Sequence, residues 1–356
     1  MRGLRRESQL VGQAIRLPWG DATVPRTLRG TRARAGESPA PAWVLAGLLI
    51  GLLAFGAGAQ QGQVGGPVSG YVFDVASHLL RPLLGTPGAA IVGQAVVLPF
   101  TAASVAVSPK LDLAVALADD GSPHLLRLAG GAASEIVYNS ALGHAAQAVF
   151  SPSGSAVALV GGSTAEIVTG LPDAPQMAGT VDLGAARFHS LALSDDGAWL
   201  LTAGPGTVRA VGTAGGVRTL MSGVRTALAV FAPGSHQAAI LAGGDVGLAL
   251  VRDVAGTGTP ETLASSDAVL AAPAGLSFSA DGRSVLVAAG NGRIAGFDVA
   301  GGMRGTWSCD CTVTGLTRMG GVFRLNELGG DPLWLLNPES ATAGIVFVPA
   351  LTASAN

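Results

Sequence analysis

Leu191-Ala192-Leu193-Ser194-Asp195-Asp196-Gly197, followed by Trp199-Leu200-Leu201-Thr202, is a short apolar run, a turn and a second apolar run. Short apolar runs bounded by turn formers read as strands, and two of them joined across an Asp-Gly turn read as a hairpin. The arrangement returns along the chain. Val105-Ala106-Val107-Ser108-Pro109 precedes Leu113–Leu117, and Ala148-Val149-Phe150-Ser151-Pro152-Ser153-Gly154 precedes Ala156–Val160. Leu276-Ser277-Phe278-Ser279-Ala280-Asp281-Gly282 precedes Val285–Val287, and a weaker copy, Ala229-Val230-Phe231-Ala232-Pro233-Gly234, precedes Ala238–Leu241. The serines stand at 108, 151, 194 and 279, so the gaps are 43, 43 and 85, and the last gap spans two copies.

Each copy goes on to a third strand that opens after glycine, as at Gly206–Val211, Gly247–Asp253 and Gly292–Asp298. A fourth, more polar strand follows, as at Ser134–Tyr138, Val217–Leu220 and Glu261–Leu263. A period of about 40–45 residues with four strands per unit is the mark of propeller blades. Polarity rising from the first strand to the fourth fits a blade with a buried inner strand and a wet outer edge. The fold expected is therefore all-β, a β-propeller of four-stranded blades. The 297 residues from position 60 onward hold about seven units at ~42 residues each, which favours seven blades over six. Gly70–Ser77 copies the third-strand pattern of Gly292–Val299, with Leu80–Leu84 as its outer strand. The chain is thus expected to enter the ring part-way through a blade that its two ends complete together. The last first strand is placed near Val313–Leu316.

The Ser-Pro-x-Gly and Ser-x-Asp-Gly turns resemble those of bacterial propellers of the TolB, YVTN and WD-repeat-like group. The resemblance covers roughly residues 70–350 and implies the architecture, since such folds host many unrelated roles. The Trp-Asp dipeptide that closes a true WD repeat is absent.

Composition agrees with a chain of many short strands and tight turns. Of 356 residues, 53 are glycine, 49% are hydrophobic and 12% are charged. Residues 1–41 carry eight Arg and three acids, a net +5, whereas residues 60–356 carry a net −7. A mildly acidic body without a basic stripe argues against nucleic acid as a partner.

Residues 42–59, AWVLAGLLIGLLAFGAGA, contain no charge, follow Arg-rich sequence and end in Ala57-Gly58-Ala59. That is the pattern of a secretory signal peptide with its cleavage site. The competing reading is an uncleaved anchor, since eighteen residues just suffice to span a bilayer. The first reading places the body in the periplasm or secreted. The second anchors it in the inner membrane with the body outside the cytoplasm. The division expected is 1–41 basic N-terminal extension (with the true start nearer 24–40 as one explanation of its length), 42–59 signal segment, 60–69 linker, 70–350 propeller and 351–356 tail.

Few residues announce chemistry. Cys309-Asp310-Cys311 holds the two cysteines of the chain, and its spacing admits a local disulfide, free thiols or a pair of metal ligands. Two thiolates supply half of a structural zinc shell, and no nearby histidine completes it. His78, His124, His144, His189 and His236 lie in different repeats with no metal-ligand spacing. Asp119-Asp120 and Asp195-Asp196 precede turns and read as turn chemistry. Trp307, Trp334 and Phe323 read as core packing near the C-terminus. Ser108, Ser151, Ser194 and Ser279 read as structural repeat anchors. No catalytic, cofactor-binding or metal residue is assigned, and no cofactor is expected. The function expected is a monomeric, non-catalytic scaffold that binds protein or glycan through loops at the propeller faces. The alternative is a sugar-lactonase-like or lyase-type propeller enzyme with a metal in its central channel.

Overall fold

The computed structural model describes residues 66–184, 188–243, 247–265, 270, 272–340 and 344–350. The basic extension, the 42–59 segment and the 351–356 tail lie outside the described residues. The strands form seven antiparallel sheets, each from one contiguous stretch of chain. Blade 1 is β1 (Val68–Asp74), β2 (Leu79–Leu84) and β3 (Ile91–Val92). Blade 2 is β4 (Ala102–Val107), β5 (Leu113–Ala118), β6 (Pro123–Ala129) and β7 (Ala132–Ile136). Blade 3 is β8 (Gln147–Phe150), β9 (Val157–Gly161), β10 (Thr164–Thr169) and β11 (Gln176–Asp182). Blade 4 is β12 (Ser190–Leu193), β13 (Trp199–Ala203), β14 (Gly206–Gly212) and β15 (Val217–Val224). Blade 5 is β16 (Ala227–Phe231), β17 (Ala238–Ala242), β18 (Gly247–Val251) and β19 (Glu261–Ala264). Blade 6 is β20 (Pro273–Phe278), β21 (Ser284–Ala289), β22 (Arg293–Asp298) and β23 (Met303–Ser308). Blade 7 is β24 (Thr317–Met319), β25 (Val322–Arg324), β26 (Leu333–Leu336) and β27 (Ile345–Val348).

The first strands β1, β4, β8, β12, β16, β20 and β24 neighbour one another in that order, and β24 neighbours β1 again, so the ring is closed. The chain is a seven-bladed β-propeller. Its core is divided into seven apolar clusters, one in each seam between adjacent blades. The last seam joins Val72 and Leu83 of blade 1 to Met319, Val322 and Leu333 of blade 7.

The turn after each first strand explains the repeat. In blades 3, 4 and 6 the serine N–H donates to the carbonyl five residues on, and the turn glycine N–H returns to the serine carbonyl. Gly154, Gly197 and Gly282 hold φ of 73°, 71° and 70° there, a region that costs glycine nothing. In blade 2 Leu111 takes the glycine's place at φ 66°.

Two expectations need correction. β1 is not the third strand of a blade shared by the two ends: β2 and β3 follow it within its own sheet. The ring closes by packing in the seam instead. β1 also runs against its neighbours. Its hairpin turn meets the start of β4, where His78 Nδ1 lies 3.0 Å from the Ala102 carbonyl oxygen. A third-strand sequence pattern, opening after glycine, fits this place because β1, like a third strand, is covered on both faces by adjacent blades. The second correction concerns burial. The second and third strands are the most enclosed, with β5, β17 and β21 buried throughout. The first strands are partly exposed because they border the central channel.

Candidate functional site: the central channel

The seven first strands enclose a solvent-accessible channel of about 450 Å³. Its wall is mixed: partly exposed apolar side chains such as Val105, Val107, Val149, Phe150 and Val230 alternate with about as much polar surface, from Gln147, Ser277, Thr317 and the strand backbone among others. Among the described residues the lining holds no carboxylate, imidazole or thiol, and its charged side chains are Arg318 and Arg324. Arg324 is paired with Glu327, 2.6 Å away, and burial pushes its guanidinium down while that carboxylate pushes it up.

Arg318 differs. It is the one basic residue on the seven first strands. From β24 its Nη2 reaches across the channel to donate to the Pro152 carbonyl oxygen in blade 3. Its Nε is buried and has no acceptor among the described residues. Burial pushes this guanidinium below the ordinary arginine value, opposed by the field of Asp195. Asp195 is already engaged: Oδ1 accepts the Ser153 N–H at 2.6 Å and Oδ2 accepts the Gly234 N–H at 2.6 Å. That carboxylate therefore ties the first turns of blades 3, 4 and 5 together. Gly320 N–H donates to the Pro109 carbonyl at 2.8 Å, so the first turns of blades 7 and 2 meet at the same end. Arg318 thus stands where the first turns converge.

The anchor serines sit inside the first turns and hydrogen-bond there. Ser108, Ser151, Ser194 and Ser279 are buried. Ser194 Oγ donates to Asp196 at 2.6 Å and accepts from Trp199 N–H at 2.9 Å. Ser279 Oγ does the same with Asp281 at 2.6 Å and Ser284 N–H at 3.0 Å. Ser151 Oγ accepts from Ala156 N–H, and Ser108 Oγ donates to Asp112. In Ser194 and Ser279 the buried hydroxyl has both donor and acceptor roles filled, which stabilises the turn.

The histidines are not brought together. His124 stacks on Phe100 with ring centroids 4.0 Å apart and meets Glu135 at 2.7 Å. His144 Nδ1 lies 2.9 Å from the Asp120 carbonyl oxygen. His236 pairs with Asp196 at 2.8 Å, joining blades 4 and 5. Ser194, Asp196 and His236 form a chain of contacts, but the serine is bonded to the aspartate and not to the imidazole. The nucleophile–base contact of a catalytic triad is therefore not made. Cys309 and Cys311 are bonded to each other, with Cα atoms 5.1 Å apart. They flank the blade 6–blade 7 seam, packed with Trp307, Trp334 and buried Phe323.

A second buried polar cluster escaped the sequence reading. Glu166 on β10 has no exposed surface. Its carboxylate accepts the Tyr138 hydroxyl, the Ser140 hydroxyl at 3.0 Å and the Leu142 N–H at 2.8 Å, all from the blade 2–blade 3 connection. Burial first, then the hydrogen bond and charge of Glu166, push the Tyr138 phenol well above its ordinary value.

No protein family matches the chain, and no curated protein matches it in sequence. Many solved structures resemble it in fold, two of them as follows. One is a functionally unknown protein from Desulfotomaculum acetoxidans, 12% identical, with a TM-score of 0.56 over 79% of this chain and 99% of that one. The other is Sqt1 of Saccharomyces cerevisiae, 11% identical, with a TM-score of 0.50 over 80% of this chain and 87% of that one. At such identity the likeness is one of architecture.

Arg318 and Glu166 were missed for different reasons. Arg318 sits in a copy without a serine anchor, where Met319-Gly320-Gly321-Val322 replaces the longer turn. A charge inside an otherwise apolar first strand was the available signal. Glu166 meets partners 24 to 28 residues away, and local pattern carries no trace of that.

Proposed function

We propose that this protein is an exported, non-catalytic propeller that binds a protein or glycan partner through the loops at its faces. The observation that carries the reading is the closed cycle of seven first strands. It holds the connections of seven blades around one axis on a rigid frame, and loops so held are where such frames place recognition. The side chains best suited to chemistry are engaged in holding turns and seams, as in the Ser194–Asp196–His236 chain. Export to the periplasm or medium is supported by the uncharged 42–59 segment and the Ala57-Gly58-Ala59 site. Kinship with the TolB, YVTN and WD-repeat-like group is supported by the Ser-Pro-x-Gly turns.

The test uses the full chain with a C-terminal tag in a bacterial host. The exported form is collected and presented to a glycan array and to cross-linking on intact cells. Saturable binding that is blocked by mutations in the face loops is the expected result. Metal-dependent hydrolysis of lactones by the same material would overturn the reading and favour the enzyme.

A further inference from the structure

We propose that the central channel is a binding site for a small amphipathic anion, a hydrocarbon body bearing one carboxylate whose head group pairs with Arg318. Three observations converge. The channel holds about 450 Å³, within the range of small-molecule sites. Its wall joins partly exposed valine, alanine and phenylalanine side chains to a comparable polar surface, which suits a guest with both an apolar body and a polar head. At the end where the first turns converge stands one guanidinium that makes no ion pair among the described residues and keeps a buried Nε–H without an acceptor.

A half-buried cation whose hydrogen bond goes to a single neutral carbonyl, with Asp195 near enough to be felt but not paired with it, is incompletely compensated, and a carboxylate supplies the charge and the acceptors it lacks. Asp195 does not fill this role: it makes no ion pair with Arg318, and its oxygens face the backbone amides of Ser153 and Gly234. Glu327 does not either, since it is taken by Arg324. With two arginines and no acid in the lining, the channel selects anions over cations. This inference does not depend on a partner at the loop faces, and its failure leaves that reading standing.

The test is titration of the purified full chain with hexanoate, octanoate, decanoate and the neutral octan-1-ol, followed by calorimetry. Affinity should rise about fourfold for each added methylene, the value expected for burying hydrocarbon. Octanoate should bind about ten- to hundredfold more tightly than octan-1-ol, the range for a charge-assisted contact. In R318Q that preference should vanish while octan-1-ol binding stays unchanged. Equal affinity for octanoate and octan-1-ol in the native chain overturns the proposal, as does a preference that survives R318Q. If R318Q does not fold, a diazirine-bearing octanoate photolabels the native chain instead. Label on residues 105–107, 149–150 and 316–319 is the expected result, and label confined to the outer strands overturns it.

Discussion

Replacing Glu166 by alanine should destabilise the blade 2–blade 3 seam measurably. The side chain is fully buried, and its carboxylate receives three donors from the blade 2–blade 3 connection. Truncation does not strand all three. Ser140 Oγ also reaches the Leu142 carbonyl oxygen, and Leu142 N–H lies 3.1 Å from Ser140 Oγ, so that pair satisfies itself. The loss then comes to one stranded donor, the Tyr138 hydroxyl, roughly 1.5–3 kcal/mol for a bond to a charged acceptor. Relief of the carboxylate's desolvation offsets part of it, leaving about 1–2 kcal/mol. For a domain of this size, at about 2 °C per kcal/mol, the melting temperature should fall by about 2–4 °C. E166Q keeps the shape and one acceptor oxygen and should lose about half as much. Scanning calorimetry with urea unfolding gives both numbers. A melting temperature of E166A within about 1 °C of the native chain would refute the claim that this carboxylate fastens the seam.

Further outcomes follow from the same geometry. Tyr138 has a raised phenol value, so its contribution is complete below the unfolded value of 10.0 and is lost as pH rises toward the native one. Alkaline destabilisation above pH 10 should therefore be smaller in Y138F, and identical curves would contradict it. In acid, Asp281 is held below the ordinary range by the Ser279 hydroxyl and the Arg283 N–H. Burial works against ionisation of Asp196, but Ser194, Ala198 and His236 outweigh it and its value is also lowered. Both contributions are present above about pH 4 and are lost as pH falls through the lowered native values. Melting temperature from pH 7 to 2.5 should show that decline, and the S194A/S279A pair should flatten it. The Cys309–Cys311 link closes a very short loop, so C309S/C311S should cost about 1.5 kcal/mol or less. Unreduced protein should also resist maleimide, and labelling without reductant would place free thiols there.

The repeat made the architecture legible because each blade spends the same residues on the same turn. Positions one period apart occupy equivalent places in adjacent blades, and Asp195 shows it by bonding to Ser153, 42 residues before, and Gly234, 39 residues after. Even the copy with Ala232 in the serine's place keeps the backbone bond, Ala232 N–H to the Gln237 carbonyl at 2.8 Å. The pattern loses force at the ends of the ring. Blade 7 turns on Gly320-Gly321 without an anchor, and its first strand lies at Thr317–Met319, just beyond the expected position. Blade 1 has three strands and reversed direction, and its first strand opens at Val68, inside the expected linker. Burial of Val72, Leu80 and Leu83 was nonetheless readable, because apolar side chains of a sheet pressed between two others must be enclosed. The channel site was not readable in that way. A lone arginine means one thing on a wet edge and another on a strand that borders the channel, and only the ring decides between them.

The closed seven-membered ring underlies the seams, the channel and the loop faces alike, and removing blade 1 tests it most directly. A chain beginning at residue 98 should be compared with one beginning at residue 66 by calorimetry and size-exclusion chromatography. Loss of blade 1 uncovers Met319, Val322 and Leu333 on one side and Ala102, Leu126 and Leu128 on the other. Two apolar faces opened together favour aggregation. The account predicts that the shorter chain aggregates or lacks a cooperative transition, while the longer one melts as a single unit. A shorter chain that remains monomeric with an unchanged melting temperature would contradict it and leave a self-sufficient ring of six blades.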